Sequence, residues 1–252
     1  MASLTDNETD TTAAFLSGTG RRAPVARLGV LVVHDLVSAI ITGEVHEGDL
    51  LPPESELSAH FGVSRTVIRE SVKRLEEKGM VRVVQGRGTE ITPAAEWNIL
   101  DKVVLSALIE NDAALGILDE LAVIRAQLEA VMSETVATVR TPEELESLAV
   151  AHEKMVNAYG SQEAFASADI DFHFRIMEVS GARLAQGIAR TLTTRARDNA
   201  RFYGAPGPDA HSLTVAEHQA ILDAIAAGDS AAARTAMQDH ITLAWERRRI
   251  PK

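Results

Sequence analysis

LLPPESELSAHFGVSRTVIRESVKRLEEKGMVRVVQGRGTEI, residues 50–91, carries more fold information than any other stretch of this 252-residue chain. Pro favours the first turn of a helix, so Pro52-Pro53 predicts a helix through Glu54 to about His60, which Gly62 breaks. Ser64 is a good N-cap for the next helix, SRTVIRESVKRLEEKG, and Gly79 ends it. Two β-rich runs follow, MVRVV at 80–84 and TEIT at 89–92, joined by Gln85-Gly86-Arg87-Gly88, a glycine-bearing hairpin connection. Upstream, ARLGVLVVHDLVSAIIT (26–42) reads as a helix, and GEVHEGDLL between it and Pro52 reads as turn-rich. A helix, two helices across a tight turn, then a hairpin is the order of a winged helix-turn-helix.

The helix after Ser64 divides its faces by chemistry. At about 100° per residue, Arg65, Arg69, Lys73 and Thr66 fall within about 100° of arc, while Ile68, Val72 and Leu75 fall on the other side. Arg65 and Arg69 are candidates for base edges, because a guanidinium pairs in bidentate fashion with guanine O6 and N7. Thr66, Lys73 and Arg87 are candidates for phosphate or groove contacts. The N-terminus capped by Ser64 directs backbone N–H groups and a partial positive charge outward, which suits phosphate. A solvated amphipathic helix with ordinary Arg residues is the plain alternative; the tight turn, the Ser cap and the basic glycine hairpin favour DNA.

Bulk charge does not make this case. The formal net charge is −11. Residues 21–92 hold ten Lys/Arg against ten Asp/Glu, and residues 93–252 hold fifteen against twenty-three. The acidic C-terminal body is therefore not a nucleic-acid surface and must do something else. With no cysteine, disulfides and thiolate metal sites are excluded. No apolar run is long enough to span a bilayer. MASLTDNETDTTAAFLSGTG lacks the basic and apolar regions of a signal peptide, so the cytoplasm is the expected location. Residues 1–25 are expected to be a disordered tail; Arg21-Arg22 reads as a solvated part of it, with a minor-groove arm as the alternative.

The quoted stretch resembles the DNA-binding domain of GntR-type regulators, over about residues 27–92. The resemblance implies that Arg65 and Arg69, the two Arg of SRTxxRE, contact operator bases, and that Gly86 at the wing tip approaches the minor groove. The family often has Arg after the Glu of its PxExE stretch. This chain has Ser55 there, so base reading from that position is expected to be weakened or redirected and operator preference to differ.

From Trp97 onward the chain reads as helix, with spans near 97–110, 116–139, 142–159, 162–180, 182–203, 214–227 and 230–248. Thr141-Pro142-Glu143-Glu144 is a capping box, and Asp229 caps the last helix. Seven antiparallel helices make a bundle with an internal cavity. Asp169 and His173 stand at i and i+4 and share a helix face. His218 lies ten residues before Gly228 and His240 twelve after, so at about 1.5 Å per residue they reach similar heights in a helical hairpin. Such an Asp/His/His/His set suits Zn²⁺, Ni²⁺ or Mn²⁺ with positions open to water or ligand. Separate polar residues with separate hydrogen bonds are the alternative, since His152 and His211 show that the chain carries other histidines. Arg190, Arg197 and Arg201 share roughly one face of the 182–203 helix, with Arg195 off it; Arg197 and Arg201 are candidates for an effector's carboxylate, against simple solvation.

LDELAVIRAQLEAVMSETVA, DIDFHFRIMEVSG, EHQAILDAI and MQDHITLA are similar to the all-helical effector (FCD) domain of the FadR-type branch of the GntR family. The resemblance implies a divalent metal, zinc first, held by Asp169, His173, His218 and His240, and Arg125 facing the carboxylate of a small organic acid such as a sugar acid. WNILDKVVL resembles members that respond to sugar acids. The family's SGN after the metal helix reads Ser180-Gly181-Ala182 here, so any role of that Asn is lost. The expectation is thus a mainly α protein: a winged helix-turn-helix over 26–92, a linker at 93–98 and an all-α effector domain over 99–252. It would act as a homodimeric repressor on double-stranded operator DNA, without catalytic residues and without a membrane. The rival readings are a metal-dependent hydrolase, with Glu217 and Asp171 adjacent in sequence to the metal set, and a regulator for which the metal itself is the signal.

Overall fold

A computed structural model describes residues 25–203 and 209–249, except for the side chains of 25–27 and 201. The tail expected over 1–25, including Arg21 and Arg22, lies outside the described residues save for the backbone of Val25. The chain divides after Asn98 into two compact units.

The first unit is built from α1 (Val25–Ile41), α2 (Glu54–Phe61), α3 (Arg65–Glu77), β1 (Val81–Val84) and β2 (Gly88–Ile91). Apolar residues three and four apart face inward: Val33, Val37 and Ile40 on α1 are buried, as are Leu57, Val67, Ile68, Leu75, Met80 and Ile91, and α1 packs on α3. Gly62 ends α2 in the left-handed conformation, and the Ser64 side chain accepts from the Val67 amide at the start of α3. β1 and β2 pair antiparallel from Val81↔Ile91 to Val84↔Gly88. The helices, hairpin and cap follow the sequence reading closely.

The passage before Pro52 is more ordered than its turn residues suggested. Gly48 N–H donates to Ile91 O, Ile91 N–H to Asp49 O and Leu51 N–H to Thr89 O at 2.8–3.0 Å, so residues 48–51 line the free edge of β2. Buried Leu51 supplies the apolar anchor. Gly79 has φ +72°, and a Cβ there would clash with the backbone carbonyl oxygen of Glu96. Gly86 also has positive φ, but open space surrounds it. Gly79→Ala is therefore expected to cost well over 1 kcal/mol, roughly, and Gly86→Ala about 1 kcal/mol from backbone strain alone. Urea unfolding of both variants checks the ranking.

The second unit comprises α4 (Lys102–Asn111), α5 (Gly116–Val139), α6 (Pro142–Asn157), α7 (Gln162–Val179), α8 (Arg183–Arg197), α9 (Ala200–Tyr203), α10 (Ala210–Ala227) and α11 (Ser230–Arg248). Its core unites Val136, Leu148, Phe172, Ile176, Ile221, Ile225, Met237 and Ile241 from five of these helices. Thr141 and Glu144 form the reciprocal capping box, and Asp229 accepts from the Ala232 amide at 2.9 Å.

Three helix boundaries depart from the sequence reading. The helix placed at 97–110 starts only at Lys102, capped by Asp101, because Trp97 is extended, with its indole N–H on Thr92 O, and the Asn98 amide bonds Lys78 O. A short 3₁₀ turn, Ala94–Glu96, precedes it. The single helix expected over 182–203 is two, interrupted at Asp198 and Asn199, where Arg195 bonds the Asp198 carboxylate. The helix placed at 214–227 begins earlier, at Ala210.

Candidate functional site

The helix stripes that bury apolar side chains also carry the polar ones of interest. On α5 the buried positions Leu118, Leu121, Ala122, Arg125, Ala126, Glu129, Ala130, Ser133, Val136 and Ala137 follow one 3-and-4 spacing, so Arg125 and Glu129 sit inside the stripe. The same logic turns Asp169 and His173 inward on α7, His218 on α10 and His240 on α11. One ligand atom from each of these four buried residues lies within 4.8 Å of the others.

Hydrogen bonds on the outer side fix the rings. His173 Nδ1 lies 2.6 Å from Glu129 Oε2, and Glu129 Oε1 accepts from Arg125 Nε at 2.8 Å. His240 Nδ1 lies 2.8 Å from Glu217, which also receives two hydrogen bonds from Arg247. An ionised carboxylate only accepts, so each Nδ1 carries a proton, and in the neutral ring that makes Nε2 the lone-pair side. Burial alone would raise the Glu129 pKa; Arg125 and His173 reverse that and bring it to about 2. Glu129 is therefore ionised at any working pH.

The inner side is electron-rich. His240 Nε2 stands 3.2 Å from His173 Nε2 and 3.0 Å from His218 Nε2, and His218 Nε2 stands 3.6 Å from Asp169 Oδ1. Asp169 Oδ1 is buried with no hydrogen-bond partner, and the His218 ring stacks on Phe172 at 4.6 Å. Burial, followed by the neighbouring His240 and His173, holds the His218 pKa well below its usual value; burial likewise lowers that of His240, against the pull of Glu217. Three imidazole nitrogens and one carboxylate oxygen converging on one point fit a divalent cation. Glu129→Gln is expected to weaken zinc binding about 10–100-fold while keeping all four ligands. Competition with a fluorescent chelator measures it.

A cavity opens beside this set, lined by Arg125, Asp169, His173, Arg197, His240 and Arg248 among others. An adjoining one shares Asp169, Arg197 and Arg248 with it and continues toward Arg247 and His211. Of the Arg candidates, Arg197 reaches the cavity but bonds Ala166 O and contacts Asp169 Oδ2 at 3.5 Å, so it also positions a member of the metal set. Arg190 is turned away, bonded to Glu178 and lying over Phe174. The side chain of Arg201 lies outside the described residues. His152 and His211 are not in the set; they bond Val215 O and Gln162.

Sequence reasoning missed Glu129 and Arg248. Signals existed for both: Arg125 and Glu129 are an i,i+4 ion pair, and Arg248 falls eight residues, two turns, after His240. It noted Glu217 only as a sequence neighbour, whereas Glu217 orients His240.

In the first unit Arg65, Thr66, Arg69 and Lys73 are all exposed on α3, opposite buried Val67, Ile68 and Leu75. Arg69 Nε donates to both Glu54 oxygens, at 3.0 and 2.8 Å, and neither Nη group has an acceptor among the described residues. Gly86 and Arg87 are exposed at the hairpin tip, where Arg87 stands 3.7 Å from Glu90. Glu90 binds Arg82 more closely, at 2.6 Å.

Comparison with known proteins agrees with both halves. Residues 29–91 match the family described as bacterial regulatory proteins, gntR family, and residues 120–243 match the FCD domain. The chain is 33% identical over 216 residues to YieP of Escherichia coli K12, named as an uncharacterized HTH-type transcriptional regulator, covering 84% of this chain and 91% of that one. It is 29% identical over 207 residues to the galactonate operon transcriptional repressor of the same strain, covering 81% and 90%. The repressor NanR of Enterobacter sp. strain 638 is 27% identical over 245 residues, covering 94% and 90%. The solved structure of Lar, titled as controlling the Listeria monocytogenes agr system, shares the fold at TM-score 0.54 and 16% identity, over 91% of this chain and 98% of that one. These matches identify regulators rather than enzymes, and with them the hydrolase reading falls. The chain belongs to the GntR family of bacterial regulatory proteins, as a DNA-binding transcription regulator with an FCD domain.

Proposed function

We propose that this chain is a homodimeric repressor whose residues 26–92 read an operator and whose residues 99–252, joined through 93–98, bind a small organic acid beside a divalent metal. The observation that carries the reading is the pair of Glu-fixed imidazoles, His173 and His240, whose Nε2 atoms converge with Asp169 and His218 next to an Arg-lined cavity. Asp169, His173, His218 and His240 would hold the metal, zinc first by donor chemistry. When bound, the metal supplies a Lewis-acidic centre for a carboxylate or hydroxyl oxygen. Arg125 offers positive charge at the cavity wall, oriented by Glu129. The relatives named as repressors, one of them for a galactonate operon, support repression and a sugar acid as the ligand class.

On the DNA side, Arg65 and Arg69 read base edges, with Glu54 holding Arg69 by its Nε and leaving the outer guanidinium edge free. Ser64, Thr66, Lys73 and Arg87 contact backbone, and Gly86 lets the wing approach the minor groove. A two-fold operator calls for two such units, hence the dimer. The acid regulates only by binding the DNA-competent and DNA-incompetent states with different affinity.

Thermal-shift screening of organic acids, with and without chelator, tests this reading. At about a hundredfold excess over Kd a bound acid adds about 2.7 kcal/mol. That corresponds to roughly 5–10 °C for a unit of this size. A shift that disappears with chelator supports site and ligand class together. A metal-dependent change in operator affinity with no response to any acid would favour a metal sensor instead.

A further inference from the structure

The charges around the cavity do not balance. Arg125 is paired with Glu129, Arg247 with Glu217, and Arg197 with Asp169. Arg248 lines both adjoining cavities and has no hydrogen-bonded acceptor among the described residues. Its guanidinium lies 5.1 Å from the centre of the Phe202 ring. Burial lowers its pKa, and the attraction of Asp169 only partly offsets this. Asp169 is itself committed to the metal set. Arg248 is half-buried, and a partly desolvated cation with no hydrogen-bonded acceptor is stabilised when a ligand brings the opposite charge into the cavity. A second unsatisfied group lines the same cavity: Thr193 Oγ1 is buried and has no hydrogen-bond partner.

A divalent cation at the four-residue set deepens the imbalance. With the three ion pairs cancelling, Arg248 and the cation leave three formal positive charges around the cavity. A monocarboxylate reduces that to two, a dicarboxylate to one, and a phosphorylated monocarboxylate, with nearly three negative charges, to about zero. We infer that Arg248, with the Thr193 hydroxyl, forms a second anion subsite, so that the effector is a two-headed acid with one carboxylate on the metal side and a second negative group, carboxylate or phosphate, at Arg248. This rests on the carboxylate-effector reading above and narrows it.

The test uses the full chain loaded with zinc and two ladders of acids that differ only at the far end. The three-carbon ladder is D-glycerate, tartronate and 3-phospho-D-glycerate; the six-carbon ladder is D-gluconate, D-glucarate and 6-phospho-D-gluconate. Calorimetric titration is expected to show an acid with a second anionic group, carboxylate or phosphate, binding about 10–100-fold tighter than its matched monocarboxylate. The phosphate and carboxylate arms tell which far group fits. In Arg248→Met that advantage falls to about threefold or less, and Arg248→Lys restores part of it. Equal affinity of the monocarboxylate and the acids with a second anionic group in the native chain overturns the inference while leaving an acid effector in place. An equal-fold loss of both in Arg248→Met overturns it as well, because Arg248 would then serve the single carboxylate. Failure of every acid in both ladders to bind defeats the underlying carboxylate reading itself.

Discussion

A His218→Ala variant is expected to bind zinc more than about 100-fold more weakly than the native chain and to lose the thermal response to chelator. His218 is fully buried, stacked on Phe172, and its Nε2 faces both His240 Nε2 and Asp169 Oδ1. Removing it leaves two imidazoles and one carboxylate, too few to close a four-donor set. Other consequences of the truncation are separable. The new cavity beside Phe172 lowers stability with or without metal, whereas the chelator-dependent part of Tm belongs to the metal alone.

The metal-free protein also has a predictable pH response. The folded pKa of His218 lies well below 6.5 and that of His240 is lowered too, chiefly because burial disfavours the charged ring. The unfolded chain therefore binds more protons than the folded one below about pH 6.5, and stability is full above that pH and lost as pH falls. A His218→Ala chain loses part of that acid sensitivity. Urea midpoints at pH 7.5 and 5.5, in chelator, measure it.

An Arg65→Ala variant is expected to lose about 1–3 kcal/mol of operator affinity and to relax discrimination at one base pair per half-site, whereas Lys73→Ala weakens binding to all sequences alike. The contrast follows from position on α3. Arg65 is the first residue after the Ser64 cap, at the end proposed to enter a groove, while Lys73 lies about two turns further along the exposed side. A lost phosphate contact lowers the slope of log affinity against log salt by about one; a lost base contact leaves that slope near its native value. Selection from random DNA with native and variant chains separates the two. A specificity change in Lys73→Ala with none in Arg65→Ala would reverse the assignment.

Much of this was legible in the sequence for identifiable physical reasons. The winged helix was readable because its punctuation is chemical: Pro before α2, Gly62 after it, Ser64 at the cap, and Gly79 where no other side chain fits. The pairs Asp169/His173 and His218/His240 were readable because i,i+4 spacing and similar distance from a turn are geometric constraints on helices, and the family resemblance joined the two pairs into one set. The break at Asp198–Asn199 was not, because no Gly or Pro marks it and the sequence on both sides keeps helical character. Nor was pairing along residues 48–51, which depends on a neighbour forty residues away in sequence rather than on local propensity. Glu129 and Arg248 escaped for a related reason: what matters about each is the group it meets across the bundle, His173 for one and Asp169 for the other.

The central claim is that an acid seated beside a metal at Asp169, His173, His218 and His240 controls DNA binding. Fluorescence anisotropy of the full chain on DNA from its own upstream region, titrated with and without zinc and the acid found by thermal shift, tests it most directly. The account predicts tight binding that the acid weakens at least about tenfold in the presence of zinc, with no effect of the acid after chelation or in His218→Ala. An acid effect of equal size in chelator and in His218→Ala would contradict it.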